Sequence, residues 1–226
     1  REGYYVVDKT SFLSRFFPGH PKVTLITRPR RFGKTMTLSM LRYFFNCEGA
    51  DEHRKLFDGM AVSRDEALMK EMGTRPVLFF SMRGWKANDW TTMQETIIDG
   101  LQQVAQGYKY LLQSDRADSI DRQMLQDIYD GPASVSSLRT APARLLRMLE
   151  AHYGKKAVFL LDEYDVPIQS AWEHGYYEQA IDFFRVFLTT SLKSNPSLDF
   201  AVLTGVLRIS KESIFSDLNN LDVDSI

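Results

Sequence analysis

A short apolar run followed by a loop rich in Arg and Gly is the feature that most constrains this chain. Residues Val23 to Ile26 form the run, and the loop that starts at Thr27 leads into Gly33-Lys34-Thr35. The pattern predicts a buried strand, a tight loop and a helix that opens at Gly33. Such a loop points backbone N–H groups and the positive end of the helix dipole at an anion. We therefore interpret it as a phosphate-binding loop.

The residues of this loop have separate predicted tasks. Lys34 would reach the β- and γ-phosphates of a nucleotide, and the Thr35 hydroxyl would ligate Mg²⁺. The full pattern G-x-x-x-x-G-K-[ST] requires Gly at position 28, where this chain has Arg28 and then Pro29. Because G-K-T alone also arises by chance, the prediction needs a second motif. The segment predicted to contact the nucleotide comprises Arg28, Pro29, Arg30, Arg31, Phe32, Gly33, Lys34, Thr35 and Met36.

The second motif is a pair of acids, Asp162 and Glu163, that follows the five apolar residues Ala157 to Leu161. This pattern is typical of a buried parallel strand whose carboxyl end carries chemistry. We expect Asp162 to hold Mg²⁺, usually through water, and Glu163 to activate the water that attacks the γ-phosphoryl group. An exposed acidic turn that includes Asp165 is the alternative, but such a turn does not require five apolar residues before it.

Strands and helices alternate along the rest of the chain. Strand-length apolar runs occupy residues 76 to 82 and 198 to 203, and the second ends at Thr204-Gly205. Helices are predicted at 33 to 46 (largely buried), from a capping box at Ser63 towards Gly73, from a capping box at Thr92, at about 120 to 129, from Pro142 to Gly154, and at 176 to 193. The alternation predicts one α/β domain over residues 1–226, with a doubly wound, mainly parallel sheet and a helical insertion at about 85–140.

The order of the motifs favours an ATPase. One strand, residues 76 to 82, lies in sequence between the loop and the acidic strand. In the division of P-loop proteins that places an additional strand between these two in the sheet and uses a catalytic Glu, the pair Asp162-Glu163 is the expected one. This favours hydrolysis of ATP over a small-molecule kinase or a GTPase, and no guanine-reading Asn-Lys-x-Asp sequence is present.

Several residues have two open interpretations. Thr204 either senses the γ-phosphate or positions water, or it has no such role. Arg208 either stabilises charge on the transferred phosphoryl group, in its own subunit or in a neighbour of a homo-oligomer, or pairs structurally with a carboxylate. Arg28, Arg30 and Arg31 either contact phosphate or form a solvent-facing patch. Near the amino terminus, Tyr4, Tyr5 and Val6 either line an adenine pocket or belong to the core.

Composition bounds the classes of partner and compartment. The net charge of −1 gives no global attraction to nucleic acid, although the first fifty residues carry nine Lys/Arg against three Asp/Glu. That basic region is a solvated face, a phosphate site, or a nucleic-acid surface whose affinity falls with salt. The single cysteine, Cys47, excludes an intramolecular disulfide and fits a reducing compartment, so we expect a cytoplasmic protein. No apolar run is long enough to span a membrane, and the termini lead us to expect a fragment.

Other chemistries find no support in the sequence. The four histidines are scattered without metal-ligand spacing, and no G-x-S-x-G nucleophile turn occurs. No Lys follows an Asp or Glu at a distance of two residues, so the [DE]-x-K element of many metal-dependent nucleases is absent. Nuclease activity would therefore have to come from sequence outside these 226 residues.

Four segments carry a resemblance to a known family: Tyr5-Val6-Val7-Asp8-Lys9-Thr10, the loop Thr27 to Thr35, Leu161-Asp162-Glu163-Tyr164-Asp165, and Thr204-Gly205-Val206-Leu207-Arg208. They resemble the AAA-ATPase-like domain family of bacterial proteins, in which a P-loop domain is commonly followed by a restriction-endonuclease-like domain. The resemblance implies ATP binding, an Arg-Pro loop in place of the usual Gly, a nucleic-acid-related or defence role, and a nuclease-like domain outside this chain.

Two functions follow as hypotheses. The leading one is a Mg²⁺-dependent ATPase whose cycle drives or gates a partner domain. The alternative is a nucleotide-gated interaction module that binds ATP with little hydrolysis, which the altered loop suggests.

Overall fold

A sheet of five parallel strands lies at the centre of the part of the chain that the computed structural model describes, residues 8–131, 133–193, 195–207 and 221–225. The strands are β1 (Val23–Thr27), β2 (Val77–Ser81), β3 (Ala157–Asp162), β4 (Leu198–Gly205) and β5 (Leu221–Ser225). Their order in the sheet is β2-β3-β4-β1-β5, and every pairing is parallel. The predicted α/β class with a parallel sheet is therefore confirmed.

The register brings the ends of the strands to one edge. Thr27 at the end of β1 pairs with Gly205 at the end of β4, and Ser81 at the end of β2 pairs with Asp162 at the end of β3. Strand β4 lies between the strand before the loop and the acidic strand. Residues that follow β1, β2, β3 and β4 can therefore meet beyond the carboxyl ends of the strands, where parallel sheets bind ligands.

Helices cover both faces of the sheet. They are α1 (Ser11–Phe16), α2 (Lys34–Phe45), α3 (Ala50–Arg54), α4 (Glu66–Met69), α5 (Trp90–Gly107), α6 (Ser119–Asp130), α7 (Val135–Tyr153), α8 (Val166–Glu173) and α9 (Tyr177–Leu192), with 3₁₀ helices at Ala61–Arg64 and Lys109–Gln113.

Alternate side chains of the buried strand β3 enter two separate apolar cores. Val158 and Leu160 pack with α1, α2 and α4, whereas Phe159 and Leu161 pack with helices α5 to α9. The helices between β2 and β3 thus share one core with α8 and α9. All of β3 is buried, which is why its sequence is continuously apolar.

Three predicted helix starts are wrong. Helix α5 begins at Trp90, because Asp89 accepts a hydrogen bond from the Thr92 backbone N–H and caps the helix three residues earlier than expected. Helix α7 begins at Val135 behind the cap Ser134, and Pro142 lies inside it. The segment after Ser63 forms only a 3₁₀ turn and the short helix α4, which is capped by Asp65 and ends at Met69.

Helix α2 is less buried than the sequence predicts. Leu38, Leu41 and Phe45 are fully buried, but Met36 and Tyr43 expose 60% and 40% of their surface. The apolar stripe Met36, Met40 and Phe44 of this helix is therefore exposed at Met36 and fully buried at Phe44.

Candidate nucleotide-binding site

The loop between β1 and α2 turns sharply through two left-handed residues. Gly33, which caps α2, has φ of 78°, and Arg31 has φ of 71°. Glycine adopts this conformation without the steric penalty that a side chain brings. Arg31 is thus held in a conformation that costs free energy, and such residues cluster at ligand sites.

Lys34 is folded back onto the loop that precedes it. Its side chain is buried, and Nζ donates hydrogen bonds to the carbonyl oxygens of Arg28 (2.8 Å) and Pro29 (2.9 Å). The Arg28 backbone N–H donates in turn to the Gly205 carbonyl at 3.2 Å, which fixes the loop to the end of β4. The acceptors of Lys34 are backbone carbonyls, which do not depend on the side chains of the loop. The loop therefore closes around Lys34 although Arg28 and Pro29 replace the usual glycine.

Asp162 joins the two predicted halves of the site. The Thr35 hydroxyl donates to Oδ2 at 2.8 Å, and the Thr204 hydroxyl donates to Oδ1 at 2.5 Å. Asp162 and Thr204 are almost completely buried. The end of β3 therefore contacts the start of α2 and the end of β4 through one carboxylate, although Thr35 is 127 residues away in sequence.

Glu163 lies beside this carboxylate at the mouth of the site. Its φ is 56°, so among the described residues Glu163 and Arg31 are the two non-glycine residues with positive φ, and both belong to the predicted site. Arg83, which follows β2, contacts Glu163 (Nε to Oε1, 3.3 Å) and the Thr35 hydroxyl (Nη2 to Oγ1, 3.3 Å). The Glu163 side chain is thus held next to Thr35 by a cation.

These groups line a cavity of about 570 Å³, which we call the phosphate cavity. Seven of its lining residues were predicted from the loop or the acidic motif: Arg30, Arg31, Gly33, Lys34, Thr35, Met36 and Glu163. Five other predicted residues do not line it: Arg28, Pro29, Phe32, Asp162 and Thr204. Arg208 lies outside the described residues, as do Tyr4, Tyr5 and Val6.

Asp165 also lines the phosphate cavity and holds the turn after β4. Its Oδ2 accepts hydrogen bonds from the backbone N–H groups of Val206 (2.8 Å) and Leu207 (2.7 Å), and its buried Oδ1 makes none. Gly205 packs against it so closely that a Cβ atom there would lie 2.8 Å from Oδ1. The alternative interpretation of Asp165 as part of an exposed turn is therefore wrong, since only 2% of its surface is exposed.

Three cations near the site were not predicted from the sequence. Arg83 and Lys86 line the phosphate cavity, and the Lys9 ammonium lies close to Gly33, 3.2 Å from where a Cβ of that residue would be. Arg83 and Lys86 follow a predicted strand end, which was a usable signal because ligand-binding residues collect there. Lys9 belongs to one of the segments that carry the family resemblance, but no pattern predicted it as a site residue, and its position beside Gly33 depends on the packing of the segment around it.

The oxygen atoms of the site fit a hard divalent cation. The Thr35 hydroxyl, which lines the phosphate cavity, donates to the Asp162 carboxylate at 2.8 Å, so the two side chains place their oxygen atoms next to each other. Mg²⁺ is typically bound by one or two protein oxygens together with substrate phosphates and water. Within residues 8–131, 133–193, 195–207 and 221–225, no cluster of three acidic, His or Cys side chains forms a metal cage. The residues present thus suit Mg²⁺ that arrives with a nucleotide.

The protein has a P-loop-like fold. Its parallel sheet carries a Gly-Lys-Thr loop at the start of α2, and strand β3 ends at the acid that contacts this loop. The family comparison gives the same result at finer detail. A model of the AAA-ATPase-like family, described as predicted AAA-ATPases, matches residues 1–215. The chain belongs to this family.

A curated relative is much longer than this chain. An uncharacterized protein from the 5′ region of vnfD in Azotobacter chroococcum mcd 1 is 31% identical over 230 aligned residues. The match covers all of this chain but 39% of the relative. No solved structure matches the chain. In the described part of the chain, no helix combines the length and apolarity needed to cross a bilayer.

Proposed function

We propose that the protein binds ATP with Mg²⁺ in the phosphate cavity and hydrolyses it. The observation that carries the proposal is the contact of Asp162 with both Thr35 and Thr204, because it unites the loop, the acidic strand and β4 in one buried unit. Glu163 then faces the cavity next to Lys34 and Thr35. These are the parts that hydrolysis of a phosphoanhydride requires.

Each side chain has a distinct task in this proposal. Lys34 donates to the β- and γ-phosphates, and Thr35 and Asp162 hold Mg²⁺, which neutralises phosphate charge when bound. Glu163 accepts a proton from the water that attacks the γ-phosphorus, while the bond to the ADP oxygen breaks. Thr204 is a positioning residue, since its buried hydroxyl holds Asp162 and does not line the cavity.

The sheet order supports the finer assignment to the P-loop division with a catalytic Glu. Strand β4 lies between β1 and β3, so the additional strand is residues 198–205, and β2 lies outside β3 at the edge. Glu163 follows Asp162 directly, at the position from which a carboxylate can reach water beside the γ-phosphate. We infer from the great length of the relative that hydrolysis drives or gates another part of a longer protein.

A second candidate function is supported by the contacts of Lys34 and Glu163. Both charged groups are already engaged, the first by loop carbonyls and the second by Arg83. In this state the Lys34 ammonium must leave the loop carbonyls before it can bind a phosphate. If Glu163 stays paired with Arg83 after binding, the protein is a nucleotide-gated interaction module with little turnover.

Binding of ATP tests the site itself. Titration calorimetry with ATP and Mg²⁺ should show saturable binding, and Lys34→Met should weaken it by about 10- to 100-fold because it removes charge-assisted hydrogen bonds. Lys70→Met, which changes an exposed Lys elsewhere, is the matched control. A wild-type protein that binds no ATP, with or without Mg²⁺, ends the proposal.

Phosphate release separates the enzyme from the module. For an ATPase, Glu163→Gln should lower the rate by about 10²- to 10⁴-fold and leave the Kd for ATP nearly unchanged. Glu95→Gln, at an exposed position on α5, should have no effect. Equal and negligible release by the wild type and Glu163→Gln would establish the interaction module instead.

A further inference from the structure

The loop that follows β2, residues 82–89, brings two cations to the phosphate cavity, Arg83 and Lys86. Arg83 contacts both Glu163 and the Thr35 hydroxyl. In the proposed function Glu163 faces the γ-phosphate and Thr35 ligates Mg²⁺, so this loop lies at the γ-phosphate end of the cavity. That function gives no task to Lys86, which follows Arg83 in the same loop.

The Lys86 ammonium is available for an anion. Among the residues that the structure describes, it makes no hydrogen bond and no ion pair. The other lysine of the cavity, Lys34, donates to two loop carbonyls, and Arg83 contacts Glu163. Lys86 can therefore contact a phosphate without first breaking a contact within the described part of the protein.

Lys86 also lines a second cavity, of about 500 Å³, which adjoins the phosphate cavity and is bordered by α8 and the start of α5. The two acids of this second cavity, Asp89 and Glu173, already accept hydrogen bonds. Asp89 accepts from the Thr92 N–H (2.8 Å) and hydroxyl (3.1 Å), and Glu173 accepts from Gln169 Nε2 (2.9 Å). Neither acid holds Lys86, so an anion in the phosphate cavity can attract its ammonium.

The backbone of Lys86 is fixed by its neighbours. The residues on either side, Trp85 and Ala87, are buried. The Trp85 ring lies so close to Gly100 of α5 that a Cβ atom there would be 2.4 Å from Nε1. The Lys86 N–H donates to the Gly84 carbonyl at 2.9 Å. The Lys86 side chain can thus move, whereas the point from which it extends is set by the packing of the loop.

A buried network of hydroxyl groups anchors Ala87 to the segment that follows Glu163. Ser170 Oγ, on α8, accepts from the Ala87 N–H (3.1 Å) and donates to the Ala87 carbonyl (3.0 Å). The Tyr176 hydroxyl donates to the same carbonyl at 2.8 Å and lies 3.2 Å from Ser170 Oγ. Both side chains are almost completely buried. Because buried polar groups are costly to leave unpaired, the network holds the loop at a fixed distance from α8.

Resting on the proposed function, we propose that Lys86 binds the γ-phosphate and thereby favours ATP over ADP, with Ser170 and Tyr176 as the positioning residues that hold it in place. Hydrogen bonds from an ammonium group to a phosphate are stronger than those between neutral groups. ADP has no γ-phosphate, so the contact forms with ATP alone. The nucleotide state is then read by the loop that leads into α5.

Titration of ATP and of ADP, each with Mg²⁺, tests the role of Lys86. Lys86→Gln should raise the Kd for ATP about tenfold and the Kd for ADP less than about twofold, because one charge-assisted hydrogen bond is lost with ATP only. Lys86→Arg keeps a cation and should restore most of the affinity for ATP. Lys70→Gln, which changes an exposed Lys that does not line the phosphate cavity, is the control.

The outcomes separate this assignment from the proposed function. If Lys86→Gln left ATP binding unchanged, or weakened ATP and ADP by the same factor, Lys86 would not bind the γ-phosphate, and the nucleotide site would stand. Wild-type protein that binds neither nucleotide would overturn both proposals.

A double-mutant cycle tests whether Ser170 acts through Lys86. Ser170→Ala should raise the Kd for ATP about three- to tenfold in the wild-type background and by less than about 1.5-fold when residue 86 is already Gln, since residues that act together are not additive. Ser191→Ala, which removes a buried hydroxyl that bonds within α9, should have no effect on either background. The same factor in both backgrounds would show that Ser170 does not position Lys86.

Tyr176→Phe is the milder second variant, because the Ala87 carbonyl keeps its hydrogen bond from Ser170. It should also weaken ATP more than ADP. Tyr153→Phe is its matched control, since that hydroxyl bonds to Tyr110 and neither residue lines the phosphate cavity. Circular dichroism and melting curves show which variants fold, and if Ser170→Ala does not fold, the cycle is measured with Tyr176→Phe. Equal binding of ATP by Tyr176→Phe and Tyr153→Phe would overturn the positioning role of Tyr176.

Discussion

Asp162 is the residue on which the geometry of the site depends most. Its two oxygens accept hydroxyl hydrogen bonds from Thr35 and Thr204, and almost none of its surface reaches solvent. A buried carboxylate that loses a donor is left with an unsatisfied oxygen, which costs about 1–3 kcal/mol. Thr204 therefore matters through Asp162 and needs no contact with the nucleotide.

Thr204→Val tests this role with a side chain of the same shape. The variant should need about 10- to 100-fold more Mg²⁺ for half-maximal ATP binding, because the partner that orients a metal ligand is lost. Thr204→Ser keeps the hydroxyl and should need nearly the wild-type concentration. The measurement is a Mg²⁺ titration of ATP binding at fixed nucleotide. Equal behaviour of the Val and Ser variants would show that the hydroxyl does not position Asp162.

Arg83 is a second residue whose expected role is in the site rather than in the stability of the fold. Its side chain is 65% exposed, so the ion pair with Glu163 contributes less than about 1 kcal/mol to stability. Arg83→Gln should therefore leave the urea midpoint nearly unchanged but weaken ATP binding about tenfold, since it removes a cation from the phosphate cavity. Arg116→Gln is the control, because Arg116 is also exposed, contacts the His152 carbonyl in the last turn of α7 and does not line the phosphate cavity. A large loss of stability in Arg83→Gln would show a structural role instead.

At the scale of elements, the turn after β4 is the most tightly packed part of the site. Gly205 lies against the ring of Tyr164, which is buried and donates from its hydroxyl to the Leu207 carbonyl at 2.7 Å. A Cβ on Gly205 would lie 2.6 Å from Cε1 of that ring. The helix α8, the end of β4 and the phosphate cavity thus depend on one glycine.

Gly205→Ala should lower the free energy of unfolding by about 1–3 kcal/mol, because a buried ring must move to admit the methyl group. Gly107→Ala at the end of α5 is the matched change, since nothing lies within 4 Å of its Cβ position. Urea unfolding followed by tryptophan fluorescence compares the two. If Gly205→Ala were as stable as Gly107→Ala, the turn would be less closely packed than described.

The strands that were predicted from the sequence are those whose burial produces a run of consecutive, mainly apolar residues. Strands β2 and β3 are continuous apolar runs up to their last residue, and β1 and β4 are mainly apolar with Thr24 and Asp199 inside them, so the sequence pattern predicted all four strands. Helix α8 was not predicted, because the acids before it were interpreted only as the end of a strand. Pro167 at its start was a usable helix signal. Strand β5 alternates acids with apolar residues, and pairing with β1 alone makes it a strand.

The site was predicted in part for a related reason. Lys34, Thr35 and Glu163 belong to local motifs, and the sheet topology brings them together as the motifs imply. Arg83 follows a predicted strand end, which is a local signal, but its contact with Glu163 and the position of Lys9 depend on how distant segments pack. Pro142 was misplaced because a proline near a helix start and one inside a helix look alike in sequence.

At the scale of the whole molecule, ligand binding should be visible as stability. The proposed nucleotide contacts the loop after β1, the ends of β2 and β3, and helix α2, and each belongs to one of the two cores. ATP at 100 times its Kd with Mg²⁺ should stabilise the fold by about 2.7 kcal/mol and raise Tm by about 5–10 °C. Calorimetric melting checks this. EDTA should reduce the shift and Lys34→Met should abolish it, whereas a shift that survives Lys34→Met would place the nucleotide elsewhere.

The most direct test of the central claim is a crystal structure with a non-hydrolysable ATP analogue and Mg²⁺. The account predicts the triphosphate between Lys34 and Thr35, with Lys34 Nζ moved from the carbonyls of Arg28 and Pro29 to the phosphates, and Mg²⁺ beside Thr35. A triphosphate bound away from this loop, or Lys34 still bonded to both carbonyls beside a bound nucleotide, would contradict it.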